Sequence, residues 1–198
     1  MAQAVFYLLA GPNGAGKSTL FRAAVAEGLI PAEAEFVNAD LFEAAHLQHI
    51  DDPQLRSEQA REWADGRRVA LLEAGQSFVS ETVFSHKSKL ALIEHAQRCG
   101  FAVVLLVVCL DDPKRLLSRV RQRVQEGGHA VPAERILARY PRTLSHLVRA
   151  VRLADLALLY DTGGASDEAD QVNPPVRVAV CRGQETQRLV KWAKLVLG

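Results

Sequence analysis

Apolar residues fall along the chain in two kinds of pattern. Val5 to Leu9 and Phe101 to Cys109 are apolar at consecutive positions and rich in β-branched and aromatic residues. That is the pattern of strands buried on both faces of a parallel sheet. Shorter runs, Phe36 to Asn38, Ser77 to Ser80 and Leu156 to Tyr160, predict further strands, each separated from the next by enough residues for a crossover helix. Helical signals fill the gaps: Lys17 to Glu27 after a glycine turn, Pro53 to Ala74, Lys87 to Arg98 closed by Gly100, and Pro113 to Glu126 closed by Gly127 and Gly128. Asp111 and Asp112 before Pro113 supply a carboxylate cap and a first-turn proline, and Pro132 opens a further helix that runs to Leu153. Strands alternating with helices predict an α/β fold.

The one break in this rhythm is Gly163 to Pro175, rich in Gly, Asp, Glu and Pro, read as a surface loop within a single domain spanning 1–198. It leads to a predicted strand, Val176 to Cys181, and a terminal helix from Glu185 to about 197. There is no internal repeat and no low-complexity tract.

Composition narrows the classes. With 198 residues, 48% apolar and 24% charged, the chain has the make-up of a globular domain able to bury roughly 70% of its extended surface without disulfides or structural metal. Lys plus Arg (24) nearly cancels Asp plus Glu (23), so no global basic field favours nucleic acid or an anionic membrane. Three widely spaced cysteines, Cys99, Cys109 and Cys181, read as reduced thiols in a cytoplasmic protein. The longest apolar run is half of what a bilayer crossing needs, so no membrane partner is expected.

Gly11-Pro12-Asn13-Gly14-Ala15-Gly16-Lys17-Ser18 has P-loop spacing and lies between a predicted strand and a predicted helix, the context the motif requires. Glycines let backbone N–H groups converge on phosphate oxygens, and the helix N-terminus adds partial positive charge. Lys17 reaches the β and γ phosphates, and the Ser18 hydroxyl can ligate Mg²⁺. Gly11 through Thr19 is therefore the predicted nucleotide site. The string also looks like that of ABC-type ATPases, but an LSGGQ-like signature and an apolar run ending in Asp-Glu are both missing.

Two acids follow two predicted strands. Asp40, after Phe36-Val37-Asn38-Ala39, belongs at the carboxyl edge of the sheet where the P-loop opens. Transfer of a phosphoryl group to a hydroxyl needs a carboxylate in reach of the hydroxyl proton, which makes Asp40 the candidate base. With Glu43 three residues on, it also has the form of a capping box, and both roles fit. Glu81 closes the third predicted strand and is followed by Thr82; acceptor binding, Mg²⁺ through water, and capping of the next turn all suit it.

Charge is sorted by region. Lys114 to Arg152 holds ten basic residues against two acids, whereas Asp40 to Glu81 holds nine acids against four arginines. Arg115, Arg119 and Arg123 share one helical face, and Arg135, Arg139 and Arg142 share another. Opposite them Leu116, Val120 and Val124, then Leu137, Tyr140, Leu144, Leu147 and Val151, are expected to pack down. Two arginine faces meeting across Gly127-Gly128-His129 have the pattern of a lid, about 114–152, that closes guanidinium groups on transferring phosphate. A solvated surface or a nucleic-acid patch has the same charge pattern. His129 suits either a phosphate or acceptor contact or a packed turn.

Gly11 to Thr19, Phe36-Val37-Asn38-Ala39-Asp40, Ser80-Glu81-Thr82-Val83-Phe84-Ser85, and Arg123 to Pro132 through Arg139-Tyr140 together resemble the zeta toxin-like family of P-loop kinases over roughly residues 5 to 161. The Gly-Gly-His-x-Val-Pro stretch followed by Arg-Tyr is similar to a signature of that family, and Glu81-Thr82 resembles its acidic-threonine element. The resemblance implies a nucleotide-kinase-like core using ATP or GTP with Mg²⁺. In the best-known members it implies phosphorylation of a sugar hydroxyl of UDP-N-acetylglucosamine. By motif, Asp40 takes the proton-accepting role, Glu81 an acceptor-site role, and Arg123 and Arg139 those of catalytic lid arginines, with Arg119, Arg135 and Arg142 competing for those places. Thr82 and His129 are counted with Asp40 and Glu81 as candidate substrate-binding residues. An antitoxin protein is the partner such a kinase would have.

The sequence thus predicts a doubly wound parallel sheet of the P-loop NTPase type with an arginine-rich helical lid. Its expected chemistry is transfer of the γ-phosphoryl of ATP to a small-molecule hydroxyl. A nucleoside or other metabolite kinase is the rival within the class. A nucleotide-dependent binding module that phosphorylates no acceptor is the rival outside it.

Overall fold

In the computed structural model, residues 3–109, 112–125, 131–163, 173–183 and 185–186 are described. They form, in order, β1 (Val5–Ala10), α1 (Lys17–Ala26), β2 (Glu35–Val37), α2 (Ala39–His46), α3 (Pro53–Glu73), β3 (Phe78–Thr82), α4 (Ser88–Arg98), β4 (Ala102–Cys109), α5 (Pro113–Gln125), α6 (Ala133–Leu153), β5 (Leu156–Asp161), β6 (Val176–Arg182) and β7 (Glu185–Thr186).

The strands make one sheet in the order β2-β3-β1-β4-β5-β6-β7. β1 to β5 are mutually parallel. The sheet is therefore doubly wound as expected, with one correction: β6 and β7 are antiparallel additions at the edge. An apolar strand pattern carries no direction, so the antiparallel pairing of β6 with β5 left no mark in it. A second correction concerns the chain end. Glu185–Thr186 pair with Cys181 and Arg182 as β7 rather than opening a helix, and the rest of the predicted terminal helix lies outside the described residues.

Alternation along the strands divides the core in two. Phe6, Leu8, Phe78, Val103 and Leu105 face the layer holding Ala64, Leu71, Ile93, Leu147 and Val151 of α3, α4 and α6. Tyr7, Leu9, Val79, Leu106 and Val108 face Leu20 and Ala24 of α1 and Leu116 of α5. Burial on both faces explains why β1 and β4 read as unbroken apolar runs. Cys109 and Cys181 lie in the core and Cys99 is exposed, and none of the three is in a disulfide. Among the described residues no helix is long and apolar enough to cross a membrane.

The predicted packing faces of α5 and α6 need adjustment. Leu116 and Val120 are buried, but Val124 is 38% exposed and Leu137 is 45% exposed. Ile136, one position before Leu137, takes the inward place. α6 also contains Pro141, which lacks the N–H for the bond to Leu137 and so weakens the helix there. Beyond it, Thr143 Oγ1 donates to Val83 O at 3.1 Å and His146 Nδ1 lies 3.1 Å from Phe84 O. These contacts hold Phe84, fully buried, at φ 62°, a left-handed conformation unusual for an aromatic residue.

Candidate active site

The phosphate loop follows β1 and turns into α1 at Gly16, which supplies no side-chain cap. The first-turn N–H groups of α1 are thus left to a ligand. Its glycines are set by close approach. A Cβ on Gly11 would lie 2.0 Å from Val108 O, and one on Gly14 would lie 2.6 Å from Leu116 O, with φ +82° at Gly14. The loop is therefore wedged between β4 and α5. Its first residue is tied sideways, Gly11 N donating to Thr82 O. Ser18 is exposed on the first turn of α1, so its hydroxyl is open to a cation. A nucleotide triphosphate with Mg²⁺ fits these donors.

Lys17 is only 8% exposed, its ammonium donating to Pro12 O at 3.3 Å and standing 3.6 Å from Glu81 Oε1. The pairing follows from register: β3 lies beside β1 with Glu81 opposite Leu9 and Thr82 opposite Ala10. Glu81 and Thr82 are thus the last residues of the strand itself, two beyond the predicted end. Capping of the next turn falls to Thr82, whose Oγ1 accepts from Phe84 N at 3.1 Å.

The other oxygen of Glu81 accepts from Asn38 Nδ2 at 3.3 Å. Asn38 is the N-cap of α2: its Oδ1 accepts from Asp40 N at 2.9 Å and Leu41 N at 3.2 Å. The capping-box role for Asp40 and Glu43 is therefore overturned. Glu43 is buried and pairs instead with Arg56 at 3.6 Å, joining α2 to α3 beside a Phe42–Trp63 ring stack. Asp40 stands exposed on the first turn of α2, and among the described residues no side-chain bond or ion pair engages its carboxylate.

The arginines separate into two groups. Arg119, 4% exposed, donates from Nη1 to Thr162 Oγ1 at 3.1 Å and from Nη2 to Thr162 O at 2.8 Å. Thr162 Oγ1 in turn donates to Ala15 O at 2.8 Å. Arg119 is thus a brace beneath the phosphate loop and not part of an open lid face, and Arg115 likewise turns to Gly163 O. Helical spacing places these residues on one face of α5 but does not say that the face meets the β5 end. Arg123 is exposed near the end of α5.

On α6, Arg135 and Arg142 are exposed and Arg139 is half-buried. Burial, then the guanidinium groups of Arg135, Arg142 and Arg61, hold Arg139 below the usual arginine range. Among the described residues no carboxylate ion pair engages Arg135, Arg139 or Arg142. Arg61, on α3, is a member that the sequence pattern did not reveal, because it lies within the acid-rich segment. His129 and the Gly127-Gly128 turn lie outside the described residues.

A phosphate loop after the central strand of a β2-β3-β1-β4-β5 parallel sheet defines a P-loop nucleotide-binding protein of the kinase-like architecture. The AAA domain family model matches residues 7–143, more than half of the chain, and the chain belongs to that family. No curated protein matches the sequence. Among solved structures the fold is similar to that in the PezAT chromosomal toxin-antitoxin system of the human pathogen Streptococcus pneumoniae, with TM-score 0.62 and 17% identity over 87% of this chain and 77% of that one. It is also similar to the complex of AvrRxo1-ORF1 with AvrRxo1-ORF2 carrying sulphate ions, with TM-score 0.70 and 18% identity over 99% of this chain and 64% of that one. The same complex with ATP gives TM-score 0.67 and 19% identity over 94% of this chain and 61% of that one. The chain thus spans less than two thirds of the AvrRxo1 chains it matches. At the level of fold, the resemblance to zeta toxin-like P-loop kinases holds.

Proposed function

We propose that the protein transfers the γ-phosphoryl group of ATP to a hydroxyl of a small molecule. The observation that carries this reading is the Asp40 carboxylate, without a side-chain partner among the described residues, on the same sheet edge as the Lys17 and Ser18 cradle. β2 lies two strands from β1, a lateral distance of about 10 Å, which suits an acceptor hydroxyl between acid and phosphate. The likeness to a complex that holds ATP supports the nucleotide.

In the reaction, Lys17 and the loop amides hold the triphosphate while Asp40 accepts the hydroxyl proton. The acceptor oxygen then bonds to the γ-phosphorus as the bond to the β-phosphate oxygen breaks, releasing ADP. Ser18 and, through water, Glu81 are the oxygens that suit Mg²⁺, which when bound would neutralise charge on the phosphate oxygens. Arg139, with Arg123, Arg135 and Arg142 near it in sequence, offers guanidinium charge to the transferring group. The gathering of like charges around Arg139 is what an anionic substrate would relieve.

UDP-N-acetylglucosamine or another nucleotide-linked hydroxyl compound is the first acceptor to try. The likeness to a toxin-antitoxin system supports an antitoxin as protein partner. The test is a panel of purified acceptors incubated with ATP and the protein, with ADP and phosphorylated acceptor measured together. Equal amounts of both support the kinase reading. Slow hydrolysis that only a protein or nucleic acid stimulates, with no acceptor phosphorylated, contradicts it and favours a binding module.

A further inference from the structure

We infer that Asn38 is a positioning residue that carries the state of the phosphate loop to the acid at Asp40. Its side-chain amide is divided between two elements. Oδ1 holds the Asp40 and Leu41 amides at 2.9 and 3.2 Å, fixing the first turn of α2, and Nδ2 donates to Glu81 Oε2 at 3.3 Å. The second oxygen of that carboxylate faces the Lys17 ammonium at 3.6 Å. A continuous path of polar contacts therefore runs Lys17, Glu81, Asn38, α2, its first two steps between buried or half-buried side chains and its last at the exposed first turn of α2.

The path has a chemical consequence. Among the described residues the carboxylate that pairs with Lys17 is Glu81, and a triphosphate in the loop offers the ammonium a stronger partner. Glu81 then loses its cation, and the Asn38 amide remains its protein donor at the strand end. A charge-assisted bond strengthens when a competing partner leaves, so nucleotide binding tightens the hold of Glu81 on Asn38 and, through Oδ1, on the turn that bears Asp40. The acid is thereby set for an acceptor when the loop is filled. α2 itself does not depend on this link, because Phe42 stacks on Trp63 and Glu43 pairs with Arg56.

A mere helix cap and a coupling residue make opposite rankings of variants. A Ser side chain still caps but has no amide donor for Glu81. An Asp side chain caps as well as Asn but sets a carboxylate against Glu81. Coupling predicts that Asn38→Ser is impaired and Asn38→Asp more so, although Asn38→Asp keeps the better cap. Capping alone predicts Asn38→Asp equal to wild type.

The experiment is hydrogen exchange of the α2 amides with and without ATP, in wild type, Asn38→Ser and Asn38→Asp, together with ATP affinity and steady-state phosphoryl transfer. The expected result is that ATP slows exchange at residues 39–43 in wild type and that both variants bind ATP but lose the slowing. In both, kcat falls about 10- to 100-fold with KM for ATP unchanged, as for a misplaced catalytic group. An ATP response retained in Asn38→Ser, or an Asn38→Asp variant as active as wild type, overturns the inference. The rate arm rests on the kinase reading, whereas the exchange arm does not. If wild type phosphorylates no acceptor yet the ATP response is lost in the variants, the kinase reading fails and the role of Asn38 stands.

Discussion

The Lys17 ammonium and the Glu81 carboxylate lie 3.6 Å apart, with side chains 8% and 15% exposed. The lysine that would grip phosphate is therefore paired with an internal anion, which a nucleotide must displace to bind it. Removing that anion by Glu81→Gln should raise the affinity for ATP measured without Mg²⁺ by about 1 kcal/mol, close to fivefold, since a competing partly buried pair is lost. The same variant should transfer phosphate more slowly. Isothermal titration and initial rates check the two halves; weaker ATP binding in Glu81→Gln would contradict the competition.

Gly14 is pressed against the backbone of α5, where an added Cβ would meet Leu116 O at 2.6 Å. Gly14→Ala should cost roughly 1–3 kcal/mol of stability, from strain at positive φ and the displaced helix, and should weaken ATP binding more than substitution at half-buried Asn13. Thermal unfolding with and without ATP measures both effects.

The Arg119, Thr162 and Ala15 chain of hydrogen bonds makes the phosphate loop a braced structure. Thr162→Val keeps the shape and removes the donor to Ala15 O and the acceptor for Arg119. A loss of about 1–3 kcal/mol is expected for the buried polar groups left without partners, with a matching drop in ATP affinity. Urea unfolding and nucleotide titration would show a neutral change if the brace carried nothing.

Arg139 is held among like charges at the cost of some stability. Arg139→Gln should leave unfolding temperature unchanged or raised while cutting phosphoryl transfer by roughly 10²-fold or more, the range found for a guanidinium that stabilises transferring phosphate. Destabilisation with unimpaired transfer would assign Arg139 a packing role instead.

Lys89, on α4, is held below its ordinary value near 10.5 by burial and by the Arg68 guanidinium, with Asp65 only partly offsetting them. Because the folded value is the lower one, the unfolded chain binds more protons in the window between it and 10.5. Stability therefore rises with pH across that window, and below it the folded state carries the cost of the charge. Lys89→Gln should flatten the rise. Unfolding by urea at neutral pH and near pH 10 compares the two; parallel pH dependence would contradict the assignment.

Much of this was legible in the sequence because the physical signals were local. Consecutive apolar residues in β1 and β4, the glycine spacing of residues 11–18 and the cap at Asp112, which accepts Lys114 N at 2.8 Å, each leave a mark within a few positions. What depended on three-dimensional register did not. Asn38 and Asp40 are both good caps two residues apart, and Glu43 made Asp40 look like the better one until its own partner proved to be Arg56. The spacing of Arg115, Arg119 and Arg123 is real, but which way the face points is set by the packing of α5 on Gly14. Arg61 joins Arg139 from a helix more than 70 positions earlier, and the direction of β6 appears only in its pairing with β5.

The central claim is that Asp40 takes a proton from an alcohol facing the γ-phosphate. The most direct test is transfer of label from γ-labelled ATP into a metabolite extract by wild type and Asp40→Asn, with ATP affinity measured in parallel. The prediction is a labelled hydroxyl compound with wild type and, for Asp40→Asn, a loss of about 10²-fold or more, the contribution of a general base, at unchanged ATP affinity. Equal labelling by both proteins would contradict it.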